Sequence, residues 1–87
     1  ATRRDPKFGR AWYNLGLAEA QAGKPGEALR ALEKAEELLP DSPDAAYAAA
    51  TIHAQGGRGD EARAALQRAL KIYPGHEPSL RLLQQLR

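Results

Sequence analysis

Residues 27–40 read EALRALEKAEELLP, and residues 61–74 read EARAALQRALKIYP. The two stretches align without a gap on Glu27/Glu61, Ala28/Ala62, Ala31/Ala65, Leu32/Leu66, Ala35/Ala69 and Pro40/Pro74. Ala28, Leu32, Ala35 and Leu39 fall at i, i+4, i+7 and i+11, the spacing of one face of an α-helix. Proline has no amide proton and its ring clashes with the preceding turn, so Pro40 and Pro74 close the two helices. A third proline, Pro6, precedes Pro40 by the same interval that separates Pro40 from Pro74.

Working outward, residues 9–42 set against 43–76 give eleven identities. Beyond those above they include Ala11/Ala45, Tyr13/Tyr47, Ala20/Ala54, Gln21/Gln55 and Gly23/Gly57. A fixed period of about 34 residues is the mark of a repeat architecture. Each period reads as two helices. The first runs from about Gly9 to Ala22, with Trp12, Leu15, Gly16 and Glu19 on one face. Gly23-Lys24-Pro25 breaks it, because Gly suits the left-handed residue after a helix and Pro the first turn of the next. The second helix runs from about Pro25 to Leu39. In the next period Ser42 is a good N-cap, Pro43 a good first residue, and Asp44 complements the helix dipole. That helix ends near Gln55 at Gly56-Gly57, and its successor starts near Gly59. A fifth helix is expected over about Glu77 to Leu86, with Leu80, Leu83 and Leu86 on one face and Leu82 off it.

Composition agrees. Of 87 residues, 37 are hydrophobic, 18 of them Ala and 12 Leu, and only Thr2, Thr51, Ile52 and Ile72 are β-branched. That inventory cannot cover a pleated sheet, so the chain is all-α. Much of the alanine is spacing. Gly16, Ala20, Ala50 and Ala54 are expected to let paired helices approach, while Trp12, Leu32 and Leu66 fill the gaps between units. Ala46, Ala48, Ala49 and Ala50 replace the larger residues of the first period, and the first helix of the second period is expected to be the softest part.

These residues resemble the tetratricopeptide repeat, whose pattern is W-x2-L-G-x2-Y, then A-x3-F, then P, in a unit of about 34 residues. The first period has Trp12, Leu15, Gly16, Ala28, Leu32 and Pro40, with Glu19 in place of the usual Tyr and Leu32 in place of Phe. The second has Ala62, Leu66 and Pro74, but Ala46, Ala49, Ala50 and His53 in its first helix. The resemblance spans residues 9–76. It implies a right-handed α-solenoid of five helices: two repeat hairpins, 9–42 and 43–76, and a C-terminal capping helix, 77–87. Residues 1–8 would be the tail of a preceding repeat or a linker. The start Ala-Thr-Arg-Arg-Asp-Pro, without Met or an apolar signal segment, reads as a chain cut from a longer protein.

Function is narrowed first by exclusion. Without cysteine there is no thiolate metal site, disulfide or cysteine nucleophile. Ser42 and Ser79 stand at helix starts. His53 and His76 lack a paired ligand at helical spacing, and Glu33, Glu36 and Glu37 read as a solvated face. No catalytic residue, cofactor, metal or small-molecule substrate is expected. The sequence pI is about 9.2, yet the charge runs basic over 1–30, acidic over 31–60 and basic over 61–87. No single nucleic-acid stripe results. The longest nearly apolar stretch, Ala45 to Ile52, is far short of the roughly 20 residues that span a bilayer. Compartment stays open between cytoplasm and periplasm, and the Ala, Arg and Gly bias points to a GC-rich bacterial source.

What remains is an interaction module. The resemblance implies a concave surface lined by the first helix of each hairpin, holding a peptide or a partner's helix. Carried onto this chain, the lining is Arg10, Tyr13, Asn14, Leu17 and Gln21, then Asp44, Tyr47, Thr51 and Gln55, then Arg81 and Gln85. Residues 13, 17, 21 and 47, 51, 55 are independently i, i+4, i+8 rows on one helix face. Tyr13/Tyr47 and Gln21/Gln55 are identities that the scaffold pattern does not require. Tyr offers a rigid plate with a polar tip, and Gln pairs with a peptide backbone. Copying by duplication, with the tyrosines packing on the neighbouring helix, is the competing account. The clamp that relatives use for acidic chaperone tails is not expected, because the matching places hold Tyr13, Leu17, Ala48, Pro78 and Leu82. Self-association into a homodimer through a repeat end is the other competitor, since Phe8, Trp12 and Leu29 would lack cover and Leu82 would be exposed.

Overall fold

The computed structural model of the protein describes residues 6–86. Most of the expected tail 1–8 therefore lies outside the described residues. Five α-helices follow in order: α1 (Pro6–Gln21), α2 (Pro25–Leu38), α3 (Asp44–Gln55), α4 (Gly59–Ile72) and α5 (Glu77–Gln85). No strand occurs among the described residues, and the all-α expectation holds. α1 starts at Pro6, ahead of the expected Gly9, so residues 6–8 belong to a helix and not to a tail.

α1 pairs with α2 and α3 with α4, each across a short glycine turn. Gly23 (φ 80°) and Gly57 (φ 77°) take left-handed backbone, which costs glycine no clash with a Cβ. The amide of Lys24 then reaches back to the carbonyl of Glu19 (2.9 Å) and that of Gly23 to Ala20 (3.1 Å). Arg58 to His53 (2.8 Å) and Gly57 to Ala54 (3.2 Å) repeat the geometry one period on. Both turns thus satisfy carbonyls that a helix end would leave orphaned. The start of α3 is less well capped than expected. Pro43 takes the cap position, and the Ser42 hydroxyl accepts from the Asp44 amide at only 3.4 Å.

Small residues let the helices of each pair approach. A Cβ on Gly16 would lie 2.7 Å from Leu32 Cγ and 3.2 Å from the Ala28 carbonyl oxygen. Leu32 and its equivalent Leu66 are fully buried, flanked by buried Ala28, Ala31, Ala35 and by Ala62, Ala65, Ala69. Burying one leucine contributes about 1.5–3 kcal/mol, so these two dominate their hairpins. α3 packs against all four other helices, and Ala45, Ala46, Ala48, Ala49, Ala50 and Ile52 are buried. Its small side chains place α3 where all four other helices reach it. Between the hairpins, Arg68 of α4 donates to both carboxylate oxygens of Glu36 in α2, at 3.2 and 3.3 Å.

Three apolar assignments change. Among the described residues Trp12 fills no gap between units, and it lacks cover together with Phe8, as the self-association reading expects. Phe8 (54% exposed), Trp12 (37%) and Leu15 (45%) form an open face on α1, which no helix precedes among the described residues. Leu29, by contrast, packs on the core. On α5 the buried row is Leu82, Leu83 and Leu86, and Leu80 is the exposed one. Leu83 and Leu86 are members of the expected row, and Leu82 is half-buried beside them in place of Leu80. The Arg63 guanidinium, paired with Asp60, also donates to the Leu86 carbonyl oxygen (3.3 Å) and ties the end of α5 to α4.

The steric limit at Gly16 gives a paired prediction. Gly16→Val should destabilise the fold by about 1–3 kcal/mol, since Leu32 has no room to retreat. Gly26→Ala, with open space at its Cβ, should be neutral or stabilise by up to about 1 kcal/mol. Urea denaturation of the two variants beside the parent measures both.

Candidate protein-interaction face

The face is built from the first helix of each hairpin. Tyr13 on α1 and Tyr47 on α3 hold equivalent positions, each half-buried with its ring against the core cluster. Asp44 opens α3 one turn before Tyr47. Burial raises the pKa of the Tyr13 hydroxyl, and the nearby Asp44 carboxylate and Tyr47 hydroxyl raise it further. Tyr13 of α1 thus lies near Asp44 and Tyr47 of α3, the two helices being in contact.

His76 completes the cluster, and no motif in the chain pointed to it. It stands at the N-terminal cap of α5, one period after Ser42, where the repeat alone marks only an inter-repeat turn. Its ring meets Tyr47 edge-on, with centroids 5.6 Å apart, and lies 6.2 Å from Tyr73. One ring nitrogen, Nδ1, is 2.6 Å from the hydroxyl of the fully buried Ser79. The other, Nε2, is 3.6 Å from Asp44 Oδ1. The imidazole is 12% exposed and the Asp44 side chain 60%, so the carboxylate is the solvent-facing end of this contact. His76 and Ser79 thereby join the start of α5 to α3.

The other expected face residues divide. Arg10, Asn14, Gln21, Gln55 and Gln85 are exposed and keep their polar groups outward. Leu17 packs on the core cluster. The Thr51 hydroxyl donates to the Ala48 carbonyl oxygen (2.6 Å), which commits its proton to its own helix. Arg81 is exposed and pairs with Glu77 one turn back, at 3.5 Å. His53 is half-buried at the end of α3, and its Nδ1 is buried without a protein partner.

Among the described residues, no group of three His, Asp or Glu side chains is arranged to hold a metal ion. No described helix is long and apolar enough to cross a membrane. Of the α4 cations, Arg63 and Arg68 are each engaged with a carboxylate.

The family model for the tetratricopeptide repeat matches residues 19–86, from the last turn of α1 through α5. The chain belongs to the tetratricopeptide repeat family. The match covers most of the 87 residues and reaches ten beyond the 9–76 span of the motif resemblance, taking in α5, while it omits most of α1. Tetratricopeptide repeats generally mediate protein–protein interactions and are typically non-catalytic modules. No curated protein matches the chain.

The Tyr13 environment is open to direct measurement. Asp44→Asn removes a negative neighbour, so the Tyr13 hydroxyl should ionise at lower pH than in the parent. Titration of the Tyr13 ring signals by NMR reads the shift, and an unchanged Tyr13 titration would contradict the proximity described.

Proposed function

We propose that the chain is a non-catalytic protein-binding module that takes a peptide or partner helix on the face shared by α1, α3 and α5. Arg10, Tyr13, Asn14, Leu17, Gln21, Asp44, Tyr47, Thr51, Gln55, Arg81 and Gln85 form that surface, and His76 joins them. Two repeat units, 9–42 and 43–76, carry it, and 77–87 caps it. One observation carries the reading. Tyr13 and Tyr47, identical across the period, are both half-buried against the core, and the solvent-facing Asp44 carboxylate stands one turn before Tyr47. Half-buried tyrosines already fixed by packing lose little conformational freedom on binding, which is why such residues serve as anchors at interfaces. Leu17 contributes packing under the surface, and Thr51 contributes its methyl group more than its hydroxyl.

The test is a partner capture comparing the parent with Tyr13→Ala/Tyr47→Ala, both first shown to be helical and folded. Loss of captured partners is the expected result. An unchanged set of partners removes the face from consideration.

A second reading rests on a separate observation, the open Phe8–Trp12–Leu15 row. It would let two copies associate through this end of the repeat stack. In that case sedimentation equilibrium shows a concentration-dependent dimer that Trp12→Glu dissociates. A monomer at high concentration eliminates it.

A further inference from the structure

We infer that the Tyr13–Asp44–Tyr47 cluster receives a basic side chain, Arg or Lys, of the bound protein segment. This rests on the α1/α3/α5 face being the partner surface and names the chemistry that the face selects.

The argument is one of charge complementarity. Asp44 is an exposed carboxylate, and among the described residues neither Arg nor Lys pairs with it. Glu36, Glu37, Asp60 and Glu77 each hold a guanidinium or ammonium group, whereas Asp44, like the exposed Glu33, Asp41 and Glu61, holds none among the described residues. The neighbour of Asp44 is the His76 ring at 3.6 Å, which carries charge only when protonated. His76 is also held from its other nitrogen by Ser79 and flanked by Tyr47 and Tyr73, so it is fixed beside the carboxylate and does not swing over it. The outer side of Asp44 is left to solvent.

Tyr47 lies one turn after Asp44 on the same helix, and Tyr13 of α1 lies near enough for its hydroxyl to feel that carboxylate. A ring face attracts a cation, and a carboxylate supplies the counter-charge, so the three groups together favour an Arg or Lys head over a neutral or acidic one. Arg10 holds the position equivalent to Asp44 on α1. The face therefore changes sign from one helix to the next, and it selects one basic residue in register with Asp44, not a uniformly basic peptide. Arginine suits the place better than lysine, since its planar head stacks on a ring while its fork meets the carboxylate.

The experiment passes pools of short degenerate peptides, identical except for Arg, Gln or Glu fixed at the centre, over the immobilised 87-residue protein. The Arg pool should be retained about three- to tenfold over the Gln pool, the worth of one exposed ion pair with one ring contact, and the Glu pool least. Asp44→Asn should collapse that preference while leaving the Gln pool unchanged. Equal retention of the three pools, whether all bind or none does, overturns the inference. So does an Arg preference that survives Asp44→Asn. Failure of the underlying face reads differently: retention of every pool would then be the same on Tyr13→Ala/Tyr47→Ala as on the parent.

Discussion

The contact between Gly16 and Leu32 sets the distance on which the rest of the molecule depends. With a hydrogen where other residues carry a Cβ, α1 lies close enough to α2 for Leu32 to be enclosed completely. The second hairpin meets the same demand with Ala50 and Leu66, both buried. Because the axes are close, short glycine turns suffice to join the helices, and those turns close with the same left-handed geometry in both hairpins. A chain with so little large apolar surface gains its cohesion from contact area between backbones, not from volume in a single core.

That mode of packing explains the position of α3. Alanine on nearly every side lets four helices reach it, so the least distinctive stretch of sequence becomes the most enclosed. The site inherits this arrangement. Tyr13 and Tyr47 are steady because their rings lean on the hub, and Asp44 is placed by the turn that starts it. α5 is joined to the same centre by His76, Ser79 and Arg63, so the surface is held at both ends by polar contacts of known geometry.

The period, the glycine turns, the proline stops and the enclosed Leu32/Leu66 pair were legible in the sequence, because each follows from local chemistry that recurs once per repeat. What escaped was whatever depends on a neighbour that the period does not specify. Trp12 and Phe8 lack cover among the described residues, as expected, but Leu29, grouped with them, packs on the core. Leu80 fits the row of spacing three yet lies exposed, while Leu82, off that row, packs on the core. The rows 13, 17, 21 and 47, 51, 55 do not tell how each member's side chain is placed. Leu17 faces inward, Thr51 turns its proton to its own backbone, and His76 enters from a loop that carries no signature.

The open row on α1 and the buried alanines of α3 are equivalent positions answered in opposite ways. Trp12 and Leu15 correspond to Ala46 and Ala49, and the latter pair lies in the helix that α2 packs against. The two hairpins have therefore become order-specific. A recombination that exchanged them would drive an indole and a leucine into a space shaped for two methyl groups, and would leave bare alanines where a broad apolar face now stands. The copies share a period and a turn, but they are no longer interchangeable, and the array has acquired a direction.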